Sequence, residues 1–320
     1  MIPVFYSPKI LAHSGSFSPS ASKPQYVIED WKHRGFPIDI RSVTPVTQED
    51  LSLAHDANFV SSILACEREN GFGNRRADVA QSLPFTIGAL LCAAREALES
   101  GIACAPVSGF HHAGHSSAVG FCTFNGLMVT ALKLLREKKV KRVLVLDLDQ
   151  HYGNGTDEIK RGLGIRQQVI NCTFGRWYDR PEHATQYLDR LHRVVRQFPK
   201  FDLILFQAGA DVHVDDPLGG VLNSGQIRER DRIVFEAARS SEVPLAWDLA
   251  GGYQDPISSV LRIHRATMEE CVRAYEGTGV GAGEAPGSRR HRVPRDPHYG
   301  QERTQTLPDE MGAFSCDKAP

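Results

Sequence analysis

The stretch 142–156, RVLVLDLDQHYGNGT, combines a short apolar run with three side chains that can bind a metal. The run is short and rich in branched aliphatic residues, which predicts a buried strand. Side chains alternate across a strand, so Asp147, Asp149 and His151 share one face where the extended conformation continues. Carboxylates and an imidazole at the carboxyl end of a buried strand are typical of a metal site. Taken alone, this DxDxH pattern is equally compatible with a capped turn and a polar histidine satisfied by neighbours.

Polar side chains also follow three other apolar runs. They are His111 and His112 after 102–107, Asp211 after 202–207, and Tyr253 after 243–249. The carboxyl ends of parallel strands meet at one edge of a sheet, so we expect these side chains to lie close together. Each has an ordinary structural explanation by itself, but their arrival at a single edge favours a catalytic site.

The elements that must position these residues alternate along the chain. Apolar runs predict strands at 2–6, 102–107, 143–148, 168–173, 202–207 and 243–249. Helical spacing predicts helices at 26–34, within 51–67, and at 83–99, 124–138, 156–161, 184–197, 224–240 and 256–275. The alternation predicts an α/β fold of one domain, residues 1–276, with a mainly parallel central sheet and helices on both faces. Residues 277–320 contain Gly, Pro and Arg but little to bury, which predicts a disordered tail.

Composition limits the location and the partners of the chain. The formal net charge is −1, so no global basic field favours direct nucleic-acid binding. No run approaches about 18 apolar residues, and the start has no secretory pattern, so we expect neither a membrane span nor export. Seven scattered cysteines without a CxxC pair are typical of reduced thiols, which predicts a cytoplasmic protein. The sequence is compatible with a homo-oligomer.

Five motifs together resemble those of a known family. They are GFHHAG (109–114), GFCTFN (120–125), DLDQHYGNGT (147–156), GADVHVDDPLGG (209–220) and LAGGY (249–253). Their order and spacing resemble the histone deacetylase superfamily, including the bacterial histone-deacetylase-like amidohydrolases and acetylpolyamine amidohydrolases. The resemblance covers residues 1–276 and implies a single-domain fold related to arginase. It also implies zinc-dependent hydrolysis of a linear acyl amide, most simply an acetyl-lysine-like side chain.

The resemblance assigns roles to individual residues. Zinc is expected on Asp149, His151 and Asp211, which leaves room for water and a substrate carbonyl. His111 and His112 are expected to flank that water, with His112 as the main base and acid. Asp147 is expected behind His111, Asn154 behind His112, and Tyr253 at the oxyanion. A structural potassium ion is implied near the zinc, held by Asp147, Asp149, His151, Thr173 and Phe174.

The resemblance also implies a narrow substrate tunnel. Phe121 and Gly120 are expected on one wall, Gly251 and Gly252 beside the acyl group, and Trp177 or Tyr178 on the second aromatic wall. Residues 107–110 replace the Arg-Pro-Pro-Gly of many members, and the Ser-rich loop 14–24 replaces an early His-Pro-Glu segment. Neither change touches an expected ligand, but both bear on substrate entry. We expect His115 at the rim and His213 in a loop held by local hydrogen bonds.

Four hypotheses remain open from the sequence. In the first, the chain deacetylates an acetylated lysine peptide. In the second, it deacetylates an acetylated small amine such as an acetylpolyamine. In the third, it is a catalytically silent module that binds acyl-lysine. Retention of all six expected metal-binding and catalytic side chains argues against the silent module. A dimanganese ureohydrolase needs more carboxylates, in a DxHxD order, whereas this chain has DxDxH.

Overall fold

Seven short and mostly apolar runs form one parallel sheet in the computed structural model, which describes residues 1–277. The strands are β1 Ile2–Phe5, β2 Ile38–Arg41, β3 Ile102–Ala105, β4 Val143–Asp147, β5 Val169–Thr173, β6 Leu203–Gln207 and β7 Leu245–Asp248. Their order is β2-β1-β3-β7-β6-β4-β5, and every pair is parallel. The predicted α/β class with a parallel sheet is confirmed. Parallel pairing brings the carboxyl ends of β4, β6 and β7 to one edge.

Helices connect the strands and cover the sheet. They are α1 Lys23–His33, α2 Gln48–Leu51, α3 Ala57–Leu64, α4 Ala77–Ser100, α5 Gly126–Arg136, α6 Asn154–Gly162, α7 Ala184–Val195, α8 Ser224–Ser240 and α9 Ser258–Glu276. Short 3₁₀ turns lie at Pro8–Ile10, Pro181–His183 and Phe198–Lys200. Several helices have a side-chain cap at their first turn. At the start of α5, for example, the side-chain Oδ1 of Asn125 accepts a hydrogen bond from the Met128 backbone N–H.

The sequence patterns missed β2. It has only four residues, IDIR, all half-buried, and it pairs with β1 at the edge of the sheet. A short edge strand with alternating charged residues has no continuous apolar run to identify it. The predicted tail, apart from Gly277, lies outside the described residues.

The core lies on both sides of the sheet. One cluster joins the sheet to α1, α7, α8 and α9, where Trp31 packs on Trp247 with ring centroids 5.8 Å apart. The other joins it to α3, α4 and α5. By length and composition α4 could cross a membrane, but 61% of its most apolar window is buried inside the fold. A core helix passes the same test, and this burial accounts for its apolar character.

Candidate active site and metal centre

Three possible metal ligands converge where β4 and β6 end. One ligand atom from each of Asp149, His151 and Asp211 lies within 4.8 Å of the others. The His151 Nδ1 atom is 3.2 Å from Asp149 Oδ1 and 3.0 Å from Asp211 Oδ2. Both carboxylates are buried, whereas His151 is partly open. The structure therefore brings together the three residues to which the sequence assigned zinc.

The backbone packs closely around the two carboxylates. A Cβ atom on Gly209 would lie 2.4 Å from the Asp149 Cα, and one on Gly251 would lie 2.3 Å from the Asp211 Cγ. Gly251 also has a φ of +53°, which L side chains rarely adopt. The two carboxylates are thus held by close backbone packing, and the open side of the site is the side of His151.

The charges at this centre favour a cation. Burial and the neighbouring Asp149 charge raise the pKa of Asp211 to about 7. Its hydrogen bonds to the Asp149 and Asp211 carboxylates raise the pKa of His151 to about 11. Two buried carboxylates this close repel each other unless a positive charge lies between them. Three N and O ligands with one open side therefore fit a catalytic divalent metal.

The two adjacent histidines have different partners. His111 Nδ1 is 2.9 Å from Asp147 Oδ2, and His112 Nδ1 is 2.6 Å from Asn154 Oδ1. Burial alone would lower the pKa of His111, but the charges of Asp147 and Asp149 raise it to about 9. Burial and the charge of His111 lower the pKa of His112 to about 4. At neutral pH these shifts favour the charged form of His111 and the neutral form of His112.

Asp147 connects the histidine pair to the sheet. Its Oδ1 accepts from Gln207 Nε2 at 2.8 Å, and its backbone oxygen accepts from the Phe174 N–H at 3.0 Å. Thr173 is its register partner on β5. The five residues expected around potassium are therefore neighbours, and the ion itself stays a prediction.

Tyr253 lies at the cleft on the turn after β7. Its backbone N–H donates to Asp216 Oδ2 at 2.7 Å, and its ring centroid is 5.6 Å from that of Phe121. Burial, followed by the charge of Asp211, raises the pKa of Tyr253 well above its usual value. The Tyr253 hydroxyl therefore stays protonated at neutral pH and can donate a hydrogen bond. The neighbouring Gly252 has a φ of +93°, and a Cβ atom there would meet a Val260 methyl group at 2.7 Å.

The aromatic wall of the cleft differs in part from the expectation. Gly120 and Phe121 both have positive φ, 60° and 62°, and a Cβ on Gly120 would be 2.7 Å from His112 Cδ2. This strained pair places the Phe121 ring against Tyr253.

Among the described residues, no ring contact joins Trp177 or Tyr178, the candidates for a second wall, to Phe121 or Tyr253. Tyr178 is buried against Phe174 and Tyr187, so its ring belongs to the core. Trp177 is partly buried and packs on Arg176, and its place in the tunnel stays a prediction. The rings that do contact Phe121, besides Tyr253, belong to Phe17 and Phe72, with centroids 5.3 Å and 6.0 Å away.

Lys23 is a buried residue of the site that the sequence did not reveal. Its Nζ donates to the backbone oxygens of Leu249, at 3.0 Å, and Gly251. Burial lowers its pKa to about 8, although the charges of Asp211 and Asp149 oppose the shift. The ammonium group thus holds the turn that carries Tyr253. A lysine beginning an ordinary amphipathic helix gives no sequence signal for this role.

Arg230 links the two loops that carry the acidic ligands. It is fully buried on α8, and its Nη1 donates to the backbone oxygens of Gly209 at 2.6 Å and Leu148 at 3.3 Å. Its Nε donates to Asp231 Oδ1 at 2.8 Å. Leu148 directly precedes Asp149, so the guanidinium group fixes both loops from behind.

His55 holds the loop of tandem histidines in a similar way. Its Nδ1 is 2.9 Å from the Gly114 backbone oxygen, and its Nε2 accepts from the Asn125 N–H at 2.8 Å. His115 is exposed, and its Nδ1 is 2.9 Å from the Ala54 backbone oxygen, so its position at the rim stays a prediction. His213 forms hydrogen bonds with Ser224 and Gln254, which agrees with the loop held by local hydrogen bonds that the sequence predicts.

Comparisons with known proteins agree with this geometry. A family model described as "Histone deacetylase domain" matches residues 20–170. The chain is 28% identical over 246 residues to an uncharacterised protein of the cyanobacterium Picosynechococcus, covering 68% of this chain and 81% of that protein. It is 28% identical to histone deacetylase 2 of Arabidopsis thaliana over 55% of this chain and 50% of the relative, so it spans half the length of that enzyme.

A solved structure shares the fold. The crystal structure of the HDA15 HD domain superposes with a TM-score of 0.70 at 17% sequence identity, covering 88% of this chain and 90% of that domain. An identity this low supports the architecture alone. The matched family model and the relatives in sequence support membership of the chain in the histone deacetylase superfamily.

Proposed function

We propose that the protein is a zinc-dependent deacylase that hydrolyses the acetyl amide of a lysine-like side chain. The observation that carries the proposal is the convergence of Asp149, His151 and Asp211 beside two adjacent histidines and Tyr253. When bound at these three ligands, Zn²⁺ supplies a Lewis acid and lowers the pKa of a water from about 15.7 toward about 7.

The neutral histidine is the group suited to accept a proton. Asn154 Oδ1 accepts from His112 Nδ1–H, which leaves the Nε2 lone pair of His112 free. His112 Nε2 takes a proton from the attacking water and returns it to the leaving amine nitrogen. His111 is bonded to the Asp147 carboxylate, which orients its ring beside His112.

Tyr253 stabilises the charge that develops on the amide oxygen. Its hydroxyl remains protonated, so it can donate a hydrogen bond to that oxygen. Phe121 packs beside the Tyr253 ring and forms an apolar wall for the substrate stem.

A rate assay tests the proposal. Zinc-loaded protein is incubated with an acetyl-lysine peptide and, separately, with acetylputrescine, with and without chelator. We expect turnover of the peptide that chelator abolishes and that His112→Gln lowers by about 10²–10⁴-fold. The matched control, His33→Gln, changes an exposed histidine on α1 and should leave the rate unchanged.

The other outcomes separate the remaining hypotheses. Turnover of acetylputrescine alone would assign the protein to small-amine substrates. Peptide binding without turnover of either compound, in zinc-loaded protein, would favour a silent acyl-lysine-binding module. The cytoplasmic location and the potassium ion stay predictions that this assay does not address.

A further inference from the structure

The Ser-rich stretch that the sequence placed at 14–24 forms a loop over residues 11–22, because α1 already begins at Lys23. The Ala12 N–H donates to the Ala21 oxygen at 3.1 Å, which closes the loop on itself. Ser14, Ser18 and Ser20 are buried, and the Ser18 and Ser20 hydroxyls bond each other at 2.9 Å. The loop is therefore held by its own serines.

The loop is also tied to the segment that leads into α4. Asn74 Nδ2 donates to the Ser14 oxygen at 2.7 Å, and the His13 N–H donates to Asp78 Oδ2 at 3.0 Å. Gly15 has a φ of +67°, and a Cβ there would lie 3.5 Å from the Arg76 side chain. These contacts fix the backbone around the aromatic residue that lies between the buried Ser14 and Ser18.

That residue is Phe17, whose side chain is 72% exposed. Despite this exposure its ring packs edge-on against Phe121, with centroids 5.3 Å apart, and lies 6.3 Å from the Tyr253 ring. Phe72 contacts the far side of the same cluster, 6.0 Å from Phe121. An exposed phenyl group gains little from folding, since most of its surface stays in water. Its position beside the wall and the oxyanion donor suggests a role in binding.

We propose that Phe17 is a specificity-determining residue that encloses the uncharged methylene stem of an acylated lysine in a peptide. The inference rests on the proposed function and names its substrate class. Phe17, Phe121 and Tyr253 come from three different loops, and their rings are mutual neighbours. A stem of four methylenes would cover the exposed face of the Phe17 ring and remove both apolar surfaces from water.

The surface beside Phe17 is aromatic. The neighbours of its ring are Phe121 and Tyr253, and Phe72 also contacts Phe121. Asp216, which accepts from the N–H groups of Tyr253 and Leu218, is buried. Aromatic and methylene surfaces both gain from leaving water, so this surface suits an uncharged stem.

The test measures kcat and KM of the zinc-loaded protein with two peptides that differ in stem length. One contains acetyl-lysine, with four methylenes, and the other acetylated diaminobutyrate, with two. For Phe17→Ala we expect KM for the lysine peptide to rise about ten-fold with kcat within two-fold, because roughly half a phenyl ring of contact is lost. KM for the short-stem peptide should change less than two-fold. Phe17→Tyr should restore the wild-type KM.

Leu163→Ala is the matched control, since it truncates another exposed apolar side chain, one that follows the far end of α6. It should leave both constants unchanged. An unchanged KM in Phe17→Ala, with an active wild type, would refute the role of Phe17 while the proposed function stands. A loss of kcat without a change in KM would also refute it, because the ring would then act on Tyr253.

A larger effect of Phe17→Ala on acetylputrescine than on the peptide would overturn the uncharged-stem assignment in favour of an ammonium bound on the ring. A wild-type protein that turns over no substrate would instead contradict the proposed function. These failures are distinguishable, because the first three require an active wild type.

Discussion

At the scale of single residues, two adjacent histidines differ because their partners differ. His111 faces the carboxylate of Asp147, and His112 faces the neutral amide of Asn154. Burial lowers the pKa of both rings, but the charges of Asp147 and Asp149 raise that of His111 to about 9, whereas burial and the charge of His111 lower that of His112 to about 4. Two identical side chains can thus divide the roles of fixed cation and proton acceptor.

Removal of the Tyr253 hydroxyl tests the oxyanion role at this scale. Tyr253→Phe should lower kcat by about 10²–10³-fold, because one preorganised donor to the developing oxyanion is lost. Zinc affinity should be unchanged, since Tyr253 is not among the three ligands. Tyr26→Phe, on the surface of α1, is the control. Steady-state rates and a chelator competition give both values, and an unchanged kcat would remove Tyr253 from the mechanism.

At the scale of elements, the ligands are positioned by helices that bear none of them. Arg230 on α8 bonds the backbone oxygens before Asp149 and Asp211, and Thr267 on α9 donates to Asp231 at 2.6 Å. A buried Arg–Asp pair contributes little net stability, but it fixes geometry. The packing of α8 and α9 therefore bears directly on metal affinity.

Substitution of Arg230 tests this connection. Arg230→Lys keeps the charge beside Asp231 but lacks the planar group that reaches both carbonyls. We expect the dissociation constant for zinc to rise about ten-fold or more, as for other supports of metal ligands. Competition with a chromophoric chelator measures it, and far-UV circular dichroism checks the fold. Arg232→Lys, exposed on the same helix, should have no effect, and equal affinity in both variants would contradict the connection.

The loop of tandem histidines predicts a pH dependence of stability. Burial lowers the pKa of His55 to about 4, so the folded protein keeps this ring neutral. Below pH 6.5 the unfolded chain takes up a proton at His55 that the folded protein does not take up. The free energy of unfolding is therefore highest above pH 6.5 and decreases as the pH falls toward 4. From pH 7 to pH 5 the loss attributable to His55 is about 2 kcal/mol.

Urea unfolding at both pH values measures this loss. His55→Gln should be less stable at pH 7 because the bonds to Gly114 and Asn125 weaken. Its further loss between pH 7 and pH 5 should be about 2 kcal/mol smaller than in the wild type. His33→Gln serves as the exposed control. The same pH dependence in His55→Gln and wild type would show that His55 is not the responsible group.

At the scale of the whole molecule, the metal centre joins distant parts of the chain. Its ligands follow β4 and β6, and the Lys23 ammonium at the start of α1 supports the turn after β7. A metal bound by the folded protein and not by the unfolded chain stabilises the fold by mass action. At a free zinc concentration of about 100 times the dissociation constant, the free energy of unfolding should rise by about 2.7 kcal/mol.

Denaturant unfolding with and without zinc measures this linkage. Asp211→Ala should abolish the zinc-dependent increase, because it removes one of the three ligands. Asp215→Ala changes a carboxylate that is 80% exposed four residues further on, and it should keep the full increase. A persisting increase in Asp211→Ala would contradict the ligand assignment.

The sequence determined the parallel sheet and the candidate ligands, because both depend on local patterns. Alternating apolar runs and helical segments identify strands and crossovers, and strand ends in a parallel sheet must meet. The motifs DLDQHYGNGT and GFHHAG therefore located Asp149, His151 and the histidine pair without any tertiary information.

Only the tertiary structure decided which distant groups support and border the site. Three buried side chains support the site by hydrogen bonds to backbone oxygens far away in the sequence: Lys23, Arg230 and His55. No local sequence pattern encodes such contacts. The aromatic border depends on where the loops pack: Tyr178 completes the core, whereas Phe17, in an ordinary Ser-rich loop, reaches Phe121 and Tyr253. Periodicity reports which face of an element is buried, but not which loop lies against it.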